Sequence, residues 1–264
     1  MNKDENLAID SAARLIADSS YVVALVGSGL SVESGIPTFR GPGGLWTRVG
    51  EPSMRGYEDF LSNPKLWWEN QLAGETDAAR IEFRDAIDAA KPNAGHFALA
   101  ELEQLGVLQS IITQNIDDLH SVAGSRAVVE IHGNRTKLRC IGCEGRWHRH
   151  EFKTDEYPPE CPDCGDLVKG DTVMFGEPIP PGVLQECIRE TGRSDCMIVI
   201  GTSATVYPAA SFPHEVRQSG GVLIEINTNT TPLTNIADVS IQGQSGEVLP
   251  LIVERVKEIG GLHS

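Results

Sequence analysis

The sequence is short of cations. Lysine and arginine together number 22 against 37 aspartates and glutamates, giving a formal net charge of −15 and a pI near 4.8. Binding along a phosphate backbone needs clustered cations, so nucleic acid is not an expected partner. An acidic surface favours solubility and can attract lysine-rich partners. Long hydrophobic runs are missing too. The longest, 21–26 and 196–200, fall far below the roughly 18 apolar residues of a bilayer span. The opening residues Met1-Asn2-Lys3-Asp4-Glu5-Asn6 are polar, and no apolar signal region follows them. The expectation is a soluble, cytoplasmic protein with no membrane partner. Internal repeats and low-complexity tracts are absent. With 40% hydrophobic and 22% charged residues, the composition is that of an ordinary globular chain, which excludes collagen-like and disordered classes. A length of 264 residues, at roughly 150 per domain, fits one large domain or two small ones.

What is present is an alternation. Helical spacing over 5–18 is followed by the unbroken apolar run 21–26, and further short apolar, β-branched runs occur at 107–113, 128–131, 197–200, 222–226 and 239–241. Helical patterns lie between them at 95–105, 180–192, 208–218 and 246–259. Unbroken apolar strands alternating with helices predict an α/β fold, a Rossmann-like, mostly parallel sheet with helices on both faces. Two stretches interrupt this pattern. Residues 42–94 carry Trp46, Trp67 and Trp68 with helical periodicity, and residues 133–172 carry four paired cysteines. The predicted division is therefore a Rossmann-like domain from 1–41, 95–132 and 173–264, a helical insertion at 42–94, and a zinc-binding, ribbon-like module at 133–172.

In such sheets ligands lie beyond the carboxyl ends of the strands, so the residues just after each apolar run matter most. Gly27-Ser28-Gly29 follows the first run. Glycines there let a backbone approach a pyrophosphate at a helix start; but position 32 is Val32 rather than a third glycine, and a plain tight turn would look the same. The loop from Ser31 to Gly41, with Pro37, Phe39 and Arg40, is built to close over a dinucleotide. Gln114-Asn115-Ile116-Asp117 follows the second run and offers amides and a carboxylate to ribose hydroxyls and a carboxamide, though Asn and Asp also cap helices. His132-Gly133-Asn134 ends the third run and supplies a side chain able to take a proton near neutral pH. Gly201-Thr202-Ser203 and Asn227-Thr228-Asn229 end two later runs. The pattern Cys140-x2-Cys143-x17-Cys161-x2-Cys164 matches tetrahedral zinc with all four positions filled, hence structural. His148 and His150 lie between the pairs as competing ligands, with surface positions preferred for both, and Cys187 and Cys196 stand alone as core residues.

These motifs together resemble the sirtuin family of NAD-dependent protein-lysine deacylases over about residues 5 to 258. Gly27-Ser28-Gly29-Leu30-Ser31 with Ser34-Gly35-Ile36-Pro37 resembles its opening signature, with Ser28 in place of alanine. Thr38-Phe39-Arg40, Gln114-Asn115-Ile116-Asp117, His132-Gly133-Asn134, the paired cysteines and Phe175-Gly176-Glu177 follow in the family's order. The resemblance implies NAD as co-substrate, with its diphosphate at Gly27, Ser28 and Gly29 and near Arg40, and with Ser31 also among the cofactor-binding residues. It implies the carboxamide at Asp117 and Ile116, and the nicotinamide ribose at Gln114 and Asn115. The adenosine half would lie at Gly201, Thr202, Ser203, Asn227, Thr228, Asn229 and the backbone near Ser245. Asn115 and His132 are the implied catalytic residues, His132 acting as general base, with Phe39 shielding the reacting atoms. An acylated lysine of a protein or peptide is the implied substrate, its backbone adding as a strand between extended segments at 173–177 and 203–207. An ADP-ribosyltransferase or NAD glycohydrolase on the same scaffold is the competing reading. No feature of the sequence sets an oligomeric state.

One departure concerns the acyl pocket. Thr38 and Gly43-Gly44-Leu45-Trp46 resemble the branch that removes succinyl and malonyl groups, in which a tyrosine and, three residues later, an arginine bind the acyl carboxylate. Alignment on Asn63-Pro64 and Trp68-Glu69 puts Gln71 and Gly74 at those places. A carboxylate-tipped chain then lacks its ion-pair partner, unless Arg80 or Arg84 enters the pocket, so acetyl or longer apolar acyl groups are expected to be preferred.

Overall fold

The computed structural model describes residues 3–261. Helix α1 (Lys3–Asp18) leads into β1 (Val22–Val26), and a 3-10 segment over Ser28–Ser34 follows. Helices α2 (Leu45–Val49), α3 (Gly56–Ser62), α4 (Pro64–Ala73) and α5 (Ala78–Ala89) precede α6 (Ala94–Gln104). Next come β2 (Leu108–Thr113), α7 (Leu119–Ala123) and β3 (Val128–Glu130). Strands β4 (Lys137–Cys140), β5 (Arg146–His148) and β6 (Val168–Gly170) form a separate antiparallel sheet in the order β5-β4-β6. The chain then runs through α8 (Pro181–Arg193), β7 (Cys196–Ile200), α9 (Phe212–Gln218), β8 (Val222–Asn227), β9 (Val239–Gln242) and α10 (Ser245–Gly260).

The large sheet has the order β3-β2-β1-β7-β8-β9, and every pairing in it is parallel. Side-chain alternation along β1 explains its all-apolar sequence. Val22, Ala24 and Val26 enter one core with α1, α6 and α10, while Val23 and Leu25 enter a second core on the other face with Cys187, Phe212 and Val216 of α8 and α9. The progression of strands turns back between β1 and β7, because β1 is followed outward by β2 and β3 on one side and by β7, β8 and β9 on the other. A crevice opens at such a reversal, beyond the carboxyl ends of the strands.

The stretch without strands at 42–94 is the four helices α2 to α5. Local signals set their ends: Asn63 caps α4 with Pro64 in the first turn, and the Asp77 carboxylate accepts from the Ala79 and Arg80 amides at the start of α5. This insertion packs on the small sheet. Trp68 is buried beside Leu138, Cys140, Cys161 and Val168, and its indole Nε1 donates to the Val168 carbonyl at 3.1 Å.

Candidate active site

Five strand ends converge on the crevice, and hydrogen bonds join them into one chain. Gly29 N donates to the Gly201 carbonyl at 2.8 Å and Gly27 N to the Ile200 carbonyl at 2.9 Å, which ties the turn after β1 to the turn after β7. A Cβ on Gly29 would lie 2.6 Å from Gly201 Cα, and one on Gly27 2.7 Å from Thr202 Cβ. The two glycines are therefore required by this backbone-to-backbone approach, a constraint apart from any phosphate. Gln114 Nε2 donates to Thr202 Oγ1 at 3.0 Å, and Asn227 Nδ2 to the Thr202 carbonyl at 2.9 Å. Gly243 N reaches the Asn227 carbonyl at 3.0 Å, which brings in the turn before α10. Ser245 is buried at the start of that helix, while Ser203, Thr228 and Asn229 are exposed at the rim.

Beneath this rim lies a buried polar triplet. Asn115, 6% exposed, donates through Nδ2 to Ser31 Oγ at 3.1 Å and to the Gly27 carbonyl at 3.2 Å. Ser31 Oγ donates in turn to Asp117 Oδ2 at 2.7 Å. Asp117 also accepts from the Leu119 amide at 3.0 Å. Burial pushes the Asp117 carboxyl above its ordinary range, against the opposing effect of the Ser31 and Leu119 donors. Ile116 sits half-buried between these residues.

His132 stands at the same edge. Its Nδ1 is 3.2 Å from the Gln114 carbonyl. A carbonyl only accepts, so Nδ1 carries the proton and Nε2 keeps a free lone pair. Burial lowers the His132 pKa and the Gln114 bond partly offsets this, so the imidazole is neutral at neutral pH and Nε2 can take a proton. Asn134 is fully engaged beside it: Nδ2 donates to Asp118 Oδ1 at 2.8 Å and to Glu130, and its amide donates to Asp171 Oδ2 at 2.8 Å. The Asn134 contact falls on the side chain of Asp118, whose backbone is left-handed at φ 67°.

Phe39 and Arg40 take different paths. Phe39 packs with Trp46 (centroids 5.4 Å) and Phe83 (5.1 Å) in the core of the helical insertion. Arg40 is exposed, and its Nε pairs with Glu51 at 2.7 Å rather than with the glycine turn. Ser28 is half-buried at the start of the 3-10 segment. Neither 173–177 nor 203–207 is a strand. The first contains a turn with Gly176 at φ 80° and the second bends at Ala204 with φ 52°, since neither has a neighbouring strand to pair with. Tyr57 N holds the Phe175 carbonyl at 3.2 Å and Val173 N the His132 carbonyl at 2.9 Å, but no backbone group among the described residues is bonded to the amide of Gly176 or Thr205.

Gln71 is exposed on α4, and Gly74 terminates that helix at φ 86°. Arg80 pairs with Glu75 at 3.6 Å and Arg84 with Asp85 at 2.8 Å, and both arginines are exposed.

The four cysteines form one cluster, with their sulfur atoms all within 4.8 Å of one another. Cys140 and Cys164 Sγ are 3.5 Å apart and Cys143 and Cys161 Sγ 3.6 Å. A tetrahedron with metal–sulfur bonds of about 2.3 Å has edges of about 3.8 Å, so four thiolates at these separations fit a single metal ion. His148 and His150 are not part of the cluster; their rings lie against each other at 5.5 Å. Cys187 and Cys196 are buried in the core.

Sequence patterns gave no sign of two further groups. Glu130, Lys137, Arg139, Arg146, Lys169, Asp171 and Glu177 form a largely buried charge network linking the small sheet to the His132 loop. Burial by itself would raise the Glu130 carboxyl, but bonds from Asn134 and Lys137 and the Arg146 charge hold it below its ordinary range. His96 and His120 lie ring to ring at 5.1 Å behind the Asn115 loop, both fully buried. Lone charged and histidine residues have no spacing that marks them as buried.

The Sir2 family model matches residues 27–208. An NAD-dependent protein deacylase of Thermococcus kodakarensis is 44% identical over 254 residues, covering 94% of this chain and 95% of that protein. A crystal structure of a Sir2 homologue in complex with NAD is 43% identical, with a TM-score of 0.77 and coverage of 98% and 95% of the two chains. A Sir2 structure with a deacetylated p53 peptide and 3′-O-acetyl ADP-ribose is 34% identical, with a TM-score of 0.73 and coverage of 97% and 99%.

Proposed function

The chain belongs to the Sir2 family, and from that membership we infer that it is an NAD-dependent protein-lysine deacylase that transfers the acyl group to ADP-ribose and releases nicotinamide. The observation that carries the reading is the bond from His132 Nδ1 to the Gln114 carbonyl, which leaves Nε2 a base at the crevice edge. NAD, when bound, supplies the ribosyl carbon that receives the acyl oxygen as nicotinamide leaves. The polar rim fits it: two glycine amide turns, the buried Asn115 amide and the Ser31–Asp117 pair lie within one crevice. In this reading Asp117 and the Ile116 backbone hold the carboxamide, and Gln114 and Asn115 the ribose hydroxyls. His132 Nε2 takes a ribose hydroxyl proton so that its oxygen can attack the bound amide carbon. Gly201, Thr202, Ser203, Asn227, Thr228, Asn229 and the Ser245 turn hold the adenosine half. Arg40 reaches the diphosphate only by exchanging Glu51 for it, and Phe39 turns over the site from its place against Trp46.

The substrate is an acylated lysine, whose peptide backbone adds between 173–177 and 203–207 and pairs with amides that have no backbone partner among the described residues, such as those of Gly176 and Thr205. The metal held by Cys140, Cys143, Cys161 and Cys164 is zinc, closed by four thiolates and structural. A reducing, cytoplasmic setting keeps such thiolates available; no helix among the described residues is long and apolar enough to cross a membrane. Zinc module 133–172, helical insertion 42–94 and the Rossmann-like remainder are the working division of the chain. Acetyl or longer apolar acyl groups are preferred over succinyl, because Gln71 and Gly74 carry no charge and Arg80 and Arg84 are exposed and paired elsewhere.

The test is product analysis by mass spectrometry with NAD and matched acetyl-, butyryl-, myristoyl- and succinyl-lysine peptides, beside His132→Ala. Acyl-ADP-ribose is expected from the apolar acyl peptides, with a loss of at least about 100-fold in the variant. A succinyl preference would sink the pocket argument. NAD consumption with unchanged peptide would move the chain to the glycohydrolase or transferase reading.

A further inference from the structure

Three consecutive residues after the small sheet hold the three consecutive residues of the histidine loop. Val173 N donates to the His132 carbonyl at 2.9 Å. Gly133, at φ 75°, has no room for a side chain: a Cβ would strike the Asp171 carbonyl and lie 3.0 Å from Thr172 Cα. Asn134 N donates to Asp171 Oδ2 at 2.8 Å. The Asp171 carboxylate is itself fixed. It is 2% exposed, 3.2 Å from Arg139 Nε, and paired with Arg146 Nη2. Its backbone amide donates to the Lys137 carbonyl at 3.1 Å. By contrast, one bond at 3.2 Å, to the Gln114 carbonyl, holds the His132 ring. The direction of that ring therefore depends on a backbone that Asp171 immobilises from the small sheet.

We propose that Asp171 is a positioning residue for His132, acting through the Asn134 amide and the packing of Gly133. The inference rests on the reading of His132 as the base of the deacylation step. Its consequence is specific. Nicotinamide release precedes any need for a base, so disturbing Asp171 slows the later step and spares the earlier one. The substitution is also tolerable: without the Asp171 charge, Arg139 keeps Glu177 and Arg146 keeps Glu130.

The experiment compares Asp171→Asn and Asp171→Ala with the wild-type enzyme in two assays, peptide-dependent exchange of labelled nicotinamide into NAD and formation of acyl-ADP-ribose. Arg146→Gln, at a partly exposed residue that holds the same carboxylate, is the milder variant. Exchange is expected to stay within threefold in the Asn variant, while kcat for acyl-ADP-ribose falls at least tenfold, more in Ala and less in Arg146→Gln. An equal fall in both activities, or no fall beyond twofold in either, overturns the proposal and leaves Asp171 as scaffold only. A wild-type enzyme that forms no acyl-ADP-ribose overturns the base reading and this inference with it.

Discussion

The central strand of the six-stranded sheet and the strands of the three-stranded sheet differ in what they bury. Strand β1 of the large sheet is buried along its whole length without a polar side chain, whereas β4 and β6 of the small sheet bury Arg139 and Lys169. The large sheet is held by apolar area on two faces, an interaction that is strong but has no direction. The small sheet, with three or four residues per strand, is too small for such a core. Four thiolates, the Trp68 indole and paired charges take its place. Directional bonds fix geometry, so the region with the poorer core is the one that aims the histidine loop.

Metal removal is the strongest way to break this contrast. Structural zinc contributes on the order of 10 kcal/mol to small domains, so chelation is expected to unfold 137–170 while the large sheet persists. Limited proteolysis should cut within that range, far-UV circular dichroism should keep most of its signal, and deacylation should disappear. Survival of the module without metal would show that the charge network holds it alone.

A paired truncation sharpens the same point. Trp68→Ala and Leu25→Ala each remove a buried side chain and should each cost about 3 kcal/mol, read from denaturant unfolding. Only Trp68→Ala is expected to speed metal release, because Trp68 packs in one cluster with Cys140 and Cys161. Equal metal release in both variants would remove the distinction.

The smallest effect concerns acid. His96 and His120 have pKa values lowered by burial to about 3 and about 4. Among the described residues, His96 Nε2 and both nitrogens of His120 have no hydrogen-bond partner, and His96 Nδ1 accepts from the Asn93 amide. Both pKa values lie below that of an unfolded histidine, so the folded state binds fewer protons and stability is lost as pH falls from about 6.5 toward 4. At pH 5 the loss is about 2 kcal/mol per histidine. His120→Phe should flatten the pH dependence of Tm between pH 7 and 5. An unchanged slope would mean that His120 does not contribute to it.

Reading the sequence located the parallel strands closely. The run at 222–226 is β8 (Val222–Asn227), and 239–241 is β9 (Val239–Gln242). Such strands are legible because being buried on both faces forces an unbroken apolar run. The small sheet stayed hidden around its cysteines, since its strands are three or four residues long and β5 (Arg146–His148) carries charge, so no period shows. Among site residues, Gly27 and Gly29 were legible as a turn, but their close approach to Gly201 was not. Arg40 likewise has a partner, Glu51, that no motif spacing includes.

Taken alone, the sequence determined the alternation of strands and helices, the polar residues at each strand end and the four-thiolate metal set, because each is written in local spacing. Tertiary structure decided three other things: the proton position on His132, set by the Gln114 carbonyl; the burial of Lys169, Asp171 and Glu177 as a network; and the meeting of Asp171 with Asn134 across 37 positions of chain. The reason is physical. Periodicity records which side of an element faces the core, whereas a hydrogen bond between distant segments depends on where the fold brings them together.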